Sequence, residues 1–120
     1  MADLGTVNEL ASAKYTAVLK DESGVVIDGT GLDSLTLTVY AVDTGAIVNS
    51  RNAQNVWNTN GVTITSEGVL TWTLSPADNT ILTGAALERH AAMFLAVWAS
   101  GTKKCPHELT WLVRNLSKQT

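Results

Sequence analysis

The chain has 120 residues, of which 45% are hydrophobic and only 16% are charged, and its formal net charge is −3. This length is typical of one domain, because domains usually span about 100–150 residues. The low charge leaves few side chains for acid–base chemistry and excludes the strongly basic surface that nucleic-acid-binding proteins use. The sixteen threonines favour β-strands, because β-branched side chains fit a pleated sheet.

Membrane, secretory and disulfide features are not predicted. The longest apolar run covers residues 91–99, whereas a membrane-spanning helix needs about 20 residues. The first residues have neither the basic nor the apolar segment of a signal peptide. Cys105 is the only cysteine, which excludes an intrachain disulfide and a thiolate zinc cluster. We therefore expect the chain to fold in a reducing cytoplasm.

The N-terminal segment, residues 1–13, has no clear hydrophobic period and is predicted to be an arm outside the main domain. In isolation we expect poor order, or a short helical turn over residues 7–13. In an assembly the same arm is a candidate clasp on a neighbouring subunit. Its apolar side chains Leu4, Val7 and Leu10 are the predicted partner-binding residues.

Short β-rich segments separated by turn sequences follow from residue 14 onward. The clearest alternation of apolar and hydroxylated side chains covers residues 34–41, which predicts a strand with one buried face. The predicted strands are residues 15–20, 25–27, 34–41, 46–48, 62–65, 69–74, 90–100 and 107–116.

Two connecting segments have recognisable signals. Residues 49–60 are rich in Asn, which caps backbone groups and tolerates left-handed conformations, so a structured loop is expected there. Ser75, Pro76 and Asp78 have the spacing of an N-cap, a first-position proline and an acidic third position. This pattern predicts one helical turn over residues 76–80.

The segment of residues 85–99 is ambiguous between helix and strand. Its Ala, Leu, Glu and Met residues favour a helix, whereas Phe94, Val97 and Trp98 favour a strand. The surrounding strands favour the strand interpretation. We expect a long closing hairpin whose turn covers residues 100–106.

The pattern as a whole predicts an all-β fold, an immunoglobulin-like β-sandwich of about seven antiparallel strands. The sandwich is expected to span residues 14–117, with a short tail at 118–120. The predicted inward-facing residues are Leu35, Leu37, Val39, Ile64, Leu70, Trp72, Leu74, Phe94, Trp98, Leu109, Trp111 and Val113.

Few residues are candidates for chemistry. Cys105 and His107 are two apart, but Pro106 between them is expected to disturb the regular geometry that a catalytic dyad needs. Glu88 and His90 offer too few ligands for a metal site. The two histidines are expected to form a polar cross-strand pair. No catalytic residue, metal or cofactor is predicted.

Trp57 stands out because it lies in the Asn-rich loop, outside the strand patterns. An exposed tryptophan is typical of binding hot spots, and with Asn55 and Asn58 it is a predicted partner-binding residue. A lid over the open end of the sandwich is the other interpretation. Both interpretations stay open at this point.

Three segments carry a family resemblance: Arg-Asn-Ala-Gln-Asn-Val at 51–56, Leu-Thr-Trp-Thr-Leu at 70–74 and Ser-Pro-Ala-Asp at 75–78. With the flanking strands they resemble a family of small structural proteins of tailed bacteriophages. More loosely, they are similar to the immunoglobulin-like modules of phage baseplate and capsid-associated proteins. The resemblance covers about residues 15–116. Cys105-Pro106 departs from it, because a small flexible residue is expected there.

The resemblance implies a non-enzymatic virion protein. We expect a capsid-bound decoration, vertex or head-fibre-base subunit that is made in the host cytoplasm. Its expected partners are other phage virion proteins and further copies of itself, with no nucleic acid and no membrane. One alternative is a neck or tail component, either a head–tail connector or a baseplate adaptor. Another is a carbohydrate-binding module in which Trp57 stacks on a sugar ring.

Overall fold

The computed structural model describes residues 2–115 and contains two β-sheets. Their strands alternate between buried and exposed side chains. Strand β3, for example, buries every second residue along its whole length, as a strand with one core-facing side does. The elements are β1 (Ala2–Asn8), β2 (Ala13–Val18), β3 (Ser34–Ala41), β4 (Gln54–Asn55), β5 (Val62–Ile64), β6 (Val69–Leu74), a 3₁₀ helix (Pro76–Asn79), β7 (Leu87–Trp98) and β8 (Lys103–Arg114).

The strands form a five-stranded sheet in the order β1-β8-β7-β3-β4 and a three-stranded sheet in the order β2-β6-β5. Trp72 of the small sheet makes edge-to-face contacts with Phe94 and Trp111 of the large sheet, with ring centroids 5.5 and 5.6 Å apart. Such aromatic pairs join the two layers across the core. The prediction of an all-β sandwich is confirmed.

The core follows the predicted inward-facing residues closely. Eleven of the twelve are buried, and Trp98, which is partly buried, packs against the same cluster. The predicted strand over residues 90–100 is also confirmed, because β7 runs from Leu87 to Trp98. Tertiary context overrides the local helix preference here, because β7 pairs with β3 on one side and β8 on the other and turns Phe94 into the core.

The N-terminal segment corrects the sequence analysis. Residues 2–8 form β1, which pairs in parallel with β8, so the helical turn predicted over residues 7–13 is wrong. Its register shifts between Asp3 and Gly5, where Gly5 has a φ of +96°. That irregularity hides the strand period in the sequence.

Three further boundaries differ from the prediction. The segments at residues 25–27 and 46–48 make only the single bridges Lys20–Val26 and Tyr40–Ile47 rather than strands. The hairpin turn is also shorter than predicted, because β8 begins at Lys103 and includes Pro106. Proline fits there because β1 pairs with β8 only from Leu109 onward, so that edge of β8 needs no ladder hydrogen bond from Pro106.

The helical turn after β6 is confirmed as a 3₁₀ helix. Asp78 Oδ2 accepts hydrogen bonds from the backbone N–H of Ser75 at 2.8 Å and from its hydroxyl at 3.1 Å. Both contacts fix the chain at the point where β6 ends and the turn begins.

Among the described residues, no helix has the length and apolar character needed to span a bilayer. The predicted tail at 118–120 and the domain end at 117 lie outside the described residues.

Candidate interaction surface

The solvent face of the five-stranded sheet carries an apolar strip along its central strand. Core-facing Ala92, Phe94 and Ala96 alternate in β7 with Met93 and Leu95, which point to the opposite face and are partly exposed. Val97 continues the same row. A strand that is apolar on both faces is typical of a sheet covered on both sides. We call Met93, Leu95 and Val97 the apolar strip.

The strands on either side of the apolar strip give it a defined border. On β3, Ser34, Thr36 and Thr38 lie directly beside Val97, Leu95 and Met93. On β8, the same three strip residues lie beside Lys104, Pro106 and Glu108. One border is therefore hydroxylated, and the other carries one positive and one negative charge.

A buried ion pair joins the loop before β4 to the 3₁₀ helix. Arg51 donates to Asp78 through Nε at 2.5 Å and through Nη2 at 3.1 Å, and the guanidinium lies 5.7 Å from the Trp72 ring centroid. Arg51 and Asp78 are only 4% and 0% exposed. The Gln54 side-chain oxygen accepts from Nη1 and the Asn60 carbonyl accepts from Nη2. Bidentate pairing satisfies both charges away from water.

This ion pair and the Trp72 ring bring three segments of the sequence together. Arg51 belongs to residues 51–56, Trp72 to 70–74 and Asp78 to 75–78.

A second buried polar pair, Glu88 and His90, lies at the start of β7. His90 is fully buried, and its Nε2 lies 2.6 Å from Glu88 Oε1. Glu88 also accepts hydrogen bonds from the backbone N–H groups of Leu82 and Thr83, both at 3.0 Å. Burial raises the pKa of Glu88, but these hydrogen bonds outweigh it and hold its pKa below the ordinary value. The pair anchors the loop before β7.

The predicted relationships between the histidines and Cys105 are corrected by the strand register. His90 lies beside Trp111 and His107 beside Phe94, so the two histidines do not form a cross-strand pair. Cys105 and His107 lie on one face of the regular strand β8, so Pro106 does not disturb the geometry as expected.

Cys105 and His107 nevertheless have separate partners. His107 Nε2 lies 2.6 Å from the Tyr15 hydroxyl, and the two rings stack across the sheets. The Cys105 thiol contacts the Lys20 carbonyl at 3.5 Å. Burial raises the pKa of Cys105 and lowers the pKa of His107, which favours a neutral thiol and a neutral imidazole. A reactive thiolate–imidazolium pair is disfavoured by both shifts.

The partner-binding residues predicted in the N-terminal segment divide into two groups. Leu4 and Val7 are partly buried and pack against the core from β1. Leu10 is 59% exposed and has a φ of +59°, a left-handed conformation that is rare for a branched side chain. Its backbone N–H donates to the Asn79 carbonyl. Leu10 alone of the three presents most of its side chain to solvent.

Asn55, Trp57 and Asn58 lie at the opposite edge of the large sheet, in and after β4. The Trp57 indole N–H donates to the Gly29 carbonyl at 2.8 Å, and its ring packs against the core. Asn55 Oδ1 accepts from the Trp57 backbone N–H, and Asn58 Oδ1 accepts from the Ile64 N–H. These contacts are those expected of a lid, the second interpretation of Trp57.

The structure thus separates the two predicted clusters, because β1 and β4 are opposite edges of one sheet. The apolar strip between them was not among the predicted site residues. Its signal is the unbroken apolar run of residues 91–99, which in a strand requires both faces to be apolar.

Within residues 2–115, no three His, Cys, Asp or Glu side chains gather in a group able to hold a metal ion. Comparison with protein-family models finds no match, and a search of curated proteins finds none either.

Proposed function

We propose that the chain is a non-enzymatic structural protein of a tailed-bacteriophage particle, a capsid-bound decoration, vertex or head-fibre-base subunit that acts through protein–protein contacts. The apolar strip carries this proposal, because Met93, Leu95 and Val97 form a continuous, partly exposed row on a sheet face. A row of partly exposed apolar side chains on a sheet face is a candidate interaction site. The protein would be made in the host cytoplasm and incorporated into the virion.

The use of the ionisable groups supports a structural role. Asp78 holds the turn after β6 to Arg51, and Glu88 holds the loop before β7 through two backbone N–H groups. Both carboxylates therefore hold neighbouring segments of the chain in place. These buried polar groups stabilise the sandwich.

The family resemblance supports the phage assignment. Its segments meet at Arg51, Trp72 and Asp78, where the loop, strand and turn depend on one another. The virion role is inferred from the family that these three sequence segments resemble.

Mass spectrometry of purified particles from the phage that encodes the chain tests this proposal. We expect the chain to co-purify with the capsid proteins through a density gradient. Its absence from washed particles would overturn the proposal. Copy number relative to the major capsid protein separates the two virion alternatives, because a decoration covers the shell in many copies. A neck or tail component forms one ring near a single vertex.

The carbohydrate-binding alternative depends on Trp57, whose indole N–H already donates to Gly29. Glycan binding that is lost in Trp57→Ala, while the fold is retained, would favour that alternative.

A further inference from the structure

We propose that the solvent face of the five-stranded sheet binds a second copy of this chain, so that two sandwiches pack face to face as a two-fold dimer. This inference extends the proposed structural role by naming a partner, and purified chain is sufficient to test it. The apolar strip forms the centre of the interface. Its borders on β3 and β8 supply the polar contacts.

The solvent face of the large sheet has the dimensions that a dimer interface needs. Eight residues of β3 extend about 26 Å, and four strands span about 19 Å across, which gives a plan area of about 500 Å². Side chains that stand out from the sheet make the accessible area of this face larger than its plan area. Each partner buries ~800 Å² in an interface of standard size. One sheet face is therefore large enough for a specific dimer.

The two borders of the apolar strip carry complementary polar groups. Val97 lies between Ser34 on β3 and Lys104 on β8. A two-fold axis parallel to β7 places the β8 border of one copy over the β3 border of the other. Lys104 then faces the hydroxyl of Ser34 in the second copy, and the apolar strips meet each other.

The other charged residue of the β8 border, Glu108, follows the same rule. Met93 lies between Thr38 and Glu108, so Glu108 faces Thr38 of the second copy. The Thr38 oxygen accepts a hydrogen bond from the Ala53 backbone N–H at 2.9 Å, which leaves the Thr38 O–H to donate to a carboxylate. Each charge on one border thus meets a hydroxyl on the other.

Two orientations of the copies keep the strands within about 30° of each other, as packed sheets do. The two-fold axis parallel to β7 brings Met93 of one copy over Met93 of the other. A two-fold axis perpendicular to β7 through Leu95 would instead place Lys104 over Glu108 of the second copy, where opposite charges attract, and Met93 over Val97. Cross-linking at residue 93 distinguishes the two orientations.

Sedimentation of the purified full chain over a range of concentrations tests the dimer. We expect a mass of twice the 12.7 kDa chain. Leu95→Lys places a charge in the strip and should reduce the mass to that of a monomer at the same concentration. Thr71→Lys is the matched control, because Thr71 is a partly exposed residue on the outer face of the other sheet's central strand, and it should stay dimeric.

Cross-linking checks the geometry with a change that keeps the strip uncharged. In a Cys105→Ser background, Met93→Cys should cross-link to its copy with a short bismaleimide, because packed sheets lie about 10 Å apart. Thr71→Cys in the same background should not cross-link. Circular dichroism establishes that each variant is folded.

The proposal is overturned if the natural chain stays monomeric at concentrations approaching about 1 mM, a dissociation constant too weak for a specific dimer. It is equally overturned if folded Leu95→Lys stays dimeric or if the Thr71→Cys variant cross-links as well as Met93→Cys. A monomer found in virions would contradict the dimer and leave the virion role standing. A dimer that is missing from virions would contradict the virion role and leave the dimer standing.

Discussion

Asp78 accepts two hydrogen bonds from the guanidinium of Arg51 in the interior of the sandwich, at 2.5 and 3.1 Å. The two residues are 27 positions apart and tie the Asn-rich loop to the turn after β6. Asn49 Nδ2 donates to the same carboxylate at 3.0 Å. Asp78 is thus the point at which the loop, the 3₁₀ helix and the small sheet are joined.

Asp78→Asn should destabilise the protein by about 3–5 kcal/mol, because the Arg51 charge would stay buried without its counter-ion. Urea unfolding at neutral pH measures the loss. Arg51→Met combined with Asp78→Asn should cost less than the sum of the two single changes, since no unpaired charge is then left. Strict additivity would contradict this account of the pair. Glu22→Gln, which removes the exposed ion pair with Lys103, should leave the urea midpoint unchanged.

The stability of the protein should fall in acid partly through Glu88. Its pKa is lower in the folded protein than the ordinary value of 4.5, so its contribution is complete above about pH 4.5 and is lost as the pH falls through the folded pKa. Glu88→Gln should therefore be less stable than the natural chain at pH 7, by about 2 kcal/mol. The difference should shrink below pH 4. A difference that stays constant with pH would contradict the role of the ionised carboxylate.

The alternation of the sequence predicted the sandwich and eleven buried core residues, because strand periodicity is a local property. It did not predict β1, whose partner β8 lies about a hundred residues away and whose period is broken at Gly5. The segments 25–27 and 46–48 have strand composition, but each makes a single bridge because the chain turns away at once. The apolar strip was not predicted because it depends on which face of β7 each residue occupies, and a continuous apolar run does not reveal that face.

Gly68→Ala should destabilise the protein far more than Gly24→Ala. Both glycines have left-handed φ values, +75° and +80°. A Cβ at Gly68 would lie 2.8 Å from the Ile27 carbonyl oxygen and 2.9 Å from that of Leu19, whereas a Cβ at Gly24 meets no atom within 4 Å. We expect about 1 kcal/mol from the left-handed conformation at Gly24, and a clearly larger loss at Gly68. Thermal unfolding compares the two, and equal losses would contradict the close packing at Gly68.

The Tyr15–His107 contact joins β2 to β8 and should make the stability of the protein depend on pH. Burial lowers the pKa of His107 in the folded protein, so its stabilising contribution is present above about pH 6.5 and is lost as the pH falls through the folded pKa. An NMR titration should find the His107 pKa below 6.5. Tyr15→Phe should cost about 1 kcal/mol at pH 8, where the hydrogen bond to Nε2 is intact. A His107 pKa above 6.5 would contradict this assignment.

In the proposed role, a neighbouring subunit covers the solvent face of the large sheet. Met93 reports on that face directly, because it is one of two methionines and its thioether is oxidised more slowly when it is covered. The most direct measurement compares the rate of Met93 oxidation by peroxide in purified particles with the rate in chain released from them, refolded and diluted to the monomer. We expect strong protection in the particle. Equal rates in the two samples would contradict the claim.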